Sequence, residues 1–236
     1  MEIIELIRQM LINSGDADVL ASSARFFKQG ETAKMHGVKT PVVRQIAKTT
    51  FQQVKEHPKE TIFELCEELW KSGFLEEKGV ANVWSEALHK KYEPADFFIF
   101  ERWLNEYVTN WAACDTLCTR TIGLFLMKYP DHLPKLREWA KSSNRWMRRG
   151  AAVSLTIPAK KGLFLNDVYE IADILLLDKD DMVQKGYGWM LKEAAELHQK
   201  EVFNYVNKHK KTMPRTALRY AIEKMPADLK AEAMKK

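Results

Sequence analysis

Apolar residues return at intervals of three and four almost everywhere along this chain. Ile3, Ile4, Ile7, Met10 and Leu11 make one such stripe, Phe63, Cys66, Leu69 and Trp70 a second, and Ile171, Ile174 and Leu175 a third. That spacing gathers side chains on one face of a helix. Strict alternation over the length of a strand is absent. Breaks come often, at Gly15-Asp16, Thr40-Pro41, Pro58, Gly73, Pro94, Tyr129-Pro130, Pro158, Gly162, Met213-Pro214 and Pro226. The segments between breaks run ~10–18 residues, which predicts roughly a dozen helices. Thr40-Pro41, Glu93-Pro94 and Met213-Pro214 look like first-turn prolines. The reading is all-α, and with no linker long enough to divide it, residues 1–236 are expected to form a single domain.

A weak internal repeat refines that reading. Trp146-Met-Arg-Arg-Gly-Ala-Ala-Val153 aligns with Met182-Val-Gln-Lys-Gly-Tyr-Gly-Trp189, placing Arg149-Gly150 over Lys185-Gly186. Met213 through Tyr220 resembles the same pattern. Each copy opens a helix with a basic and a small residue in its early turns. Helix pairs repeating every ~30–47 residues are the mark of HEAT-like, armadillo or TPR stacking. The TPR signature is missing, so the expectation is a curved solenoid of HEAT-like helix-pair repeats, the alternative being a plain helical bundle.

Composition narrows the function classes. The chain has 236 residues, only 10 glycines and 8 prolines, and 46% apolar residues. It is long enough to bury a sizeable core. No window approaches the ~18 apolar residues of a membrane span, and the N-terminus has no signal-peptide pattern. Three cysteines, Cys66, Cys114 and Cys118, offer no disulfide framework. A reducing, cytoplasmic compartment is expected. Residues 1–100 carry 13 Lys and Arg against 15 Asp and Glu; the rest carry the remaining 24 against 17, so the net +5 resides in the C-terminal part. Such asymmetry is the footprint of a polyanion partner. Nucleotide-binding, zinc-protease and serine-hydrolase motifs are absent, and the six scattered histidines make no pair with a Ser or Cys.

One constellation remains. Trp111 and Asp115 lie four apart, on one face of a helix expected from about residue 110 to 127. Asp115 sits among Ala112, Ala113, Cys114, Leu117 and Cys118, and a carboxylate in apolar company needs a partner or a task. Lys141 to Arg149 then holds Lys141, Arg145, Arg148 and Arg149 and no acid, with Ser143-Asn144 suited to cap the helix. Cations in first turns oppose the helix dipole unless an anion sits beside them. Trp189 follows, flanked by Gly186, Tyr187 and Gly188, where small neighbours leave room for a close approach to the ring. In a nucleic-acid site Arg149 and Lys185 would bind phosphates, Trp111 and Trp189 would pack on sugars or bases, and Asp115 would be the reactive group. In a purely structural one the tryptophans would be core and Asp115 would pair with an arginine.

These residues together resemble a family. Trp111-Ala-Ala-Cys-Asp115, Trp146-Met-Arg-Arg149 and Gln184 to Leu191 are similar to motifs of the AlkD-type DNA alkylation-repair glycosylases, which are HEAT-like repeat proteins. His36-Gly37-Val38-Lys39-Thr40-Pro41-Val42-Val43-Arg44 resembles the family's Gly-Val/Ile-x-Thr-Pro-x-x-Arg signature, and Arg215 to Lys224 its closing helix. The similarity spans about residues 24 to 225, in the family's order. It implies that Asp115 is the catalytic aspartate, that Trp111 and Trp189 contact the lesion's deoxyribose and backbone, and that Arg149 holds a phosphate. Arg148 and Lys185 are expected to add DNA contacts, with Arg145, Arg215 and Arg219 on the same basic face. Phe26 stands near a family aromatic position.

What the family does supplies the rest. Its members remove cationic N3- and N7-alkylated purines and are described as leaving the base unflipped. The implied partner is double-stranded DNA containing alkylated purines, met by a monomer in the cytoplasm or at the nucleoid. No metal and no cofactor is implied. Two departures stand out. Ala112 occupies the place of a second acidic residue, and a double tryptophan is reduced to Asn110-Trp111. The family also holds non-catalytic paralogues, some said to bind branched DNA. A non-enzymatic DNA- or protein-binding scaffold is therefore the second hypothesis.

Overall fold

Helices carry this fold. The structure, a computed structural model, describes residues 2–27, 31 and 33–235. Among them the only β-pairing is an isolated parallel bridge between Lys34 and Phe74. The chain divides into two compact units, one ending at Leu117 and the other beginning at Cys118.

In the first unit the helices are α1 (Ile3–Asn13), α2 (Ala17–Ala24), α3 (Thr40–Val54), α4 (Lys59–Lys71), α5 (Leu75–Ala87), α6 (Asp96–Arg102) and α7 (Trp111–Thr116). Local chemistry sets several starts. The Asp16 carboxylate accepts from the backbone N–H of Asp18 and Val19, capping α2. Pro41 lies in the first turn of α3, as its fixed φ favours. α1, α3, α5 and α7 pack in succession, and α4 backs α5. Between α4 and the segment after α6 lies an aromatic core. There Phe63 meets Phe100 edge-on at 5.6 Å, and Trp70 stacks on Trp103 at 6.1 Å. Burying rings of this size contributes about 1.5–3 kcal/mol each.

The second unit holds α8 (Gly123–Lys128), α9 (Leu133–Trp139), α10 (Arg145–Val153), α11 (Thr156–Lys160), α12 (Leu165–Leu175), α13 (Asp181–Ala194), α14 (Gln199–His209), α15 (Arg215–Ala221) and α16 (Ala227–Met234). The repeat seen in sequence is physical here. Its three copies are α10, α13 and α15, and they pack side by side in that order. A second layer runs through α9 and α12, with α14 against α16. Asn144 caps α10 through Trp146 N–H at 2.9 Å, as its sequence position predicts. Asp180 does the same for α13 through Met182.

Two local expectations change. The helix expected over 110–127 is interrupted, with α7 and α8 separated by a π-helical stretch, Leu117–Ile122. Neither later proline is inside a first turn. Pro214 is the residue before α15, in an extended conformation, and Pro94 precedes α6 by two residues. A proline is equally content just outside a helix, because its missing N–H costs nothing there.

Candidate functional site

Helix α7 presents Trp111 and Asp115 one turn apart. Asn110 starts it by accepting the Ala113 N–H at 2.9 Å. Ala113, Cys114 and Leu117 turn into the core, while Trp111 and Asp115 are half-buried. The apolar neighbours of Asp115 in sequence are thus on other faces of the turn, and the carboxylate is not buried among them. Trp111 is not core either. Its indole N–H donates to the Phe26 carbonyl at 3.2 Å, and the Phe27 ring lies 6.2 Å from it. Phe26 therefore meets Trp111 through its backbone, while its own ring is exposed.

The segment leading into α7 is anchored by a residue the sequence reading did not single out. Lys78 on α5 is buried, donates to the Tyr107 carbonyl at 2.7 Å and lies over the Trp70 ring. Burial pushes its amine down to about 8. Its neighbour Glu76 is buried too, and its carboxylate accepts the N–H groups of His36, Gly37 and Val38 at 2.9–3.1 Å. This fixes the Gly-Val-x-Thr-Pro segment. Gly37 has φ +78°, and a Cβ there would meet the Asp16 carbonyl at 2.6 Å. Glu-Glu-Lys reads as a solvated first turn in sequence, and nothing local to it announces burial.

The remaining named residues lie in the second unit. Arg149 on α10 is buried and crosses to α13, where its guanidinium donates to the Met182 carbonyl. Gly186 accommodates it, since a Cβ there would stand 3.2 Å from Arg149 Cγ. Gly188 seats α15, because its Cβ would come within 2.7 Å of the Ala217 carbonyl and of Tyr220 Cβ. Helix packing is thus what these small residues admit. Trp189 is half-buried, with its indole N–H on Glu193 at 3.0 Å. Glu193 is itself held by Lys224 at 3.2 and 3.3 Å. The basic run is paired as well. Arg145 meets Asp180 at 2.8 Å, Arg148 meets Asp178 at 2.7 Å, and Lys185 meets Asp181 at 3.2 Å. Those acids come some thirty residues after the arginines, beyond the stretch that looked free of negative charge.

Asp115 and Trp111 are thus brought together on one helix of the first unit. In the second, Arg149 reaches from α10 to α13, the helix on which Lys185 and Trp189 stand four residues apart. Cys66, Cys114 and Cys118 are buried, and burial pushes the Cys66 thiol far up. Among the described residues no three His, Cys, Asp or Glu side chains cluster as metal ligands do. No helix among them is long and apolar enough to cross a membrane.

The model of a family described as "DNA alkylation repair enzyme" matches residues 7–225. Two solved structures share the fold. One, from Enterococcus faecalis, is described as a predicted DNA alkylation repair enzyme. At 15% identity it aligns over 91% of this chain and 98% of its own, with a TM-score of 0.77. The other is AlkD2 from Streptococcus mutans, at 23% identity over 89% and 100% of the two chains, with a TM-score of 0.61. A comparison with curated proteins gives no match.

Proposed function

This chain belongs to the DNA alkylation repair enzyme family, and from that premise we propose that it is a monofunctional, monomeric glycosylase that releases cationic N3- and N7-alkylated purines from duplex DNA. The observation that carries this reading is the placement of Asp115. It is half-buried on α7, one turn from a half-buried Trp111 whose indole is fixed by its bond to Phe26.

The chemistry asks for little more. An alkylpurine that already bears positive charge leaves without a general acid. Its glycosidic bond breaks towards an oxocarbenium-like sugar. One ionised carboxylate stabilises that cation and orients the attacking water. Aromatic faces beside the sugar add cation–π attraction. Arg149 supplies a phosphate contact, and Trp189 packs on the backbone. No step needs a metal or a cofactor.

The test is release of 7-methylguanine from methylated duplex DNA. Asp115→Asn keeps shape and an acceptor oxygen, so DNA binding should persist while release falls on the order of 10²–10³-fold. Trp111→Ala and Trp189→Ala should each cost less, since neither carries the negative charge that stabilises the sugar cation. Equal release by parent and Asp115→Asn would make Asp115 structural. Equal inactivity with intact DNA binding would place the chain with the non-catalytic paralogues.

A further inference from the structure

Two helices of this chain carry a tryptophan followed four residues later by an acid, Trp111 and Asp115 on α7, Trp189 and Glu193 on α13. The two indoles are anchored differently. On α7 the indole N–H is given to the Phe26 carbonyl. On α13 it is given to the acid itself, at 3.0 Å from Glu193 Oε1. Glu193 is only 8% exposed, and a carboxylate so placed needs cations to hold it. Lys224, in the turn after α15, donates to both its oxygens at 3.2 and 3.3 Å. Lys160, the last residue of α11, stands 3.8 Å from Oε2. Both lysines also meet Glu196. Two lysines thus face two glutamates, and the cluster has no net charge with which to attract a phosphate.

What such a cluster can do is hold a ring. An indole nitrogen only donates, and this one has its acceptor within the protein. Trp189 therefore has no hydrogen bond to offer a phosphate. It offers apolar surface, in the one orientation that keeps its N–H on Glu193. Without that bond a half-buried side chain is free to change rotamer, and ordering it on binding would cost affinity. We infer that Glu193 is the positioning residue for Trp189: it aims the open part of the indole at the DNA backbone, and Lys160 and Lys224 hold Glu193 to that task. This rests on the DNA role given to Trp189 above and adds to it a residue that itself touches no DNA.

Affinity for methylated duplex DNA tests it, read in the Asp115→Asn background so that the lesion persists. Glu193→Met removes the acceptor and should weaken binding about tenfold. Glu193→Gln keeps an acceptor oxygen and should stay within about twofold of the unsubstituted Glu193 protein. Once Trp189→Phe has removed the N–H, Glu193→Met should cost nothing further. A merely structural glutamate would cost the same with either ring. A second measurement uses no DNA. Among the indole N–H resonances of the seven tryptophans, the one that Trp189→Phe deletes should be the one that Glu193→Gln displaces. Glutamine is nearly isosteric with glutamate, so this measurement decides even if Glu193→Met fails to fold. An equal loss with and without Trp189→Phe, a Glu193→Gln protein as weak as Glu193→Met, or an unmoved Trp189 resonance overturns the positioning role alone. Trp189→Ala that binds as well as the protein with Trp189 intact overturns the DNA role of Trp189, and this inference with it.

Discussion

Single side chains here depart from their expected state in opposite directions. Asp115 looks buried from its neighbours in sequence and is half-open, because successive helical residues face about 100° apart. Lys78 looks solvated and is buried. Its amine, lowered to about 8 from the ordinary 10.5, makes stability depend on pH. Between those two values the unfolded chain holds the proton and the folded one does not, so stability rises with pH across that window. The rise attributable to this group is at most about 3 kcal/mol. Lys78→Met keeps the length and apolar stem but cannot titrate. Urea midpoints should climb from pH 8 to 10 more in the parent than in this variant. Parallel profiles would mean that the buried amine titrates as it does in water. The carbonyl of Tyr107, which Lys78 satisfies, leads into the helix carrying Asp115. The same substitution should therefore also reduce base release.

Between helices the decisive residues are glycines. Gly188 faces the Ala217 carbonyl and Tyr220 Cβ, both at 2.7 Å from a would-be Cβ. Backbone cannot step aside cheaply, so the overpacking cost of about 1–3 kcal/mol exceeds the ~1 kcal/mol of helix propensity that alanine brings. Gly186 faces only side-chain atoms of Arg149 and Val153, at 3.2–3.5 Å. Gly186→Ala should hold its melting temperature while shifting Arg149 and weakening DNA binding. Gly188→Ala should melt several degrees lower. Equal melting temperatures for the two would contradict the close α13–α15 contact. Much at this scale was legible in sequence. The three- and four-residue stripes gave helices, Asn144 gave a start, and the Arg-Gly over Lys-Gly alignment gave neighbouring helices. The reason for the glycines was not, since a close approach depends on a partner helix some thirty residues away. The Gly-Val-x-Thr-Pro segment shows the same limit. Its anchor is Glu76, 38 to 40 residues distant, and no local pattern points there.

Across the whole chain, charge is the property the sequence displays most openly and explains least. Counting cations in the C-terminal part gives six for DNA: Arg145, Arg148, Arg149, Lys185, Arg215 and Arg219. If all six met phosphates, log affinity would fall with log salt at a slope of about −5, at ~0.9 per contact. The structure has already committed three of them. Arg145, Arg148 and Lys185 are paired with Asp180, Asp178 and Asp181. The Arg148–Asp178 pair is largely shielded, with side chains 20% and 11% exposed. Opening such a pair leaves a carboxylate poorly solvated and facing a phosphate, which costs more than the new contact returns. A slope shallower than about −5 is therefore expected. Asp178→Asn should free Arg148 and steepen the slope by about one. Arg149→Ala should reduce the slope by about one and weaken binding alike for every sequence tested, because phosphate contacts carry no base information. Titrations of one duplex from 50 to 200 mM salt measure all three values. A parent slope near −5, unmoved by Asp178→Asn, would mean that the ion pairs of the α10–α13 layer open when DNA binds.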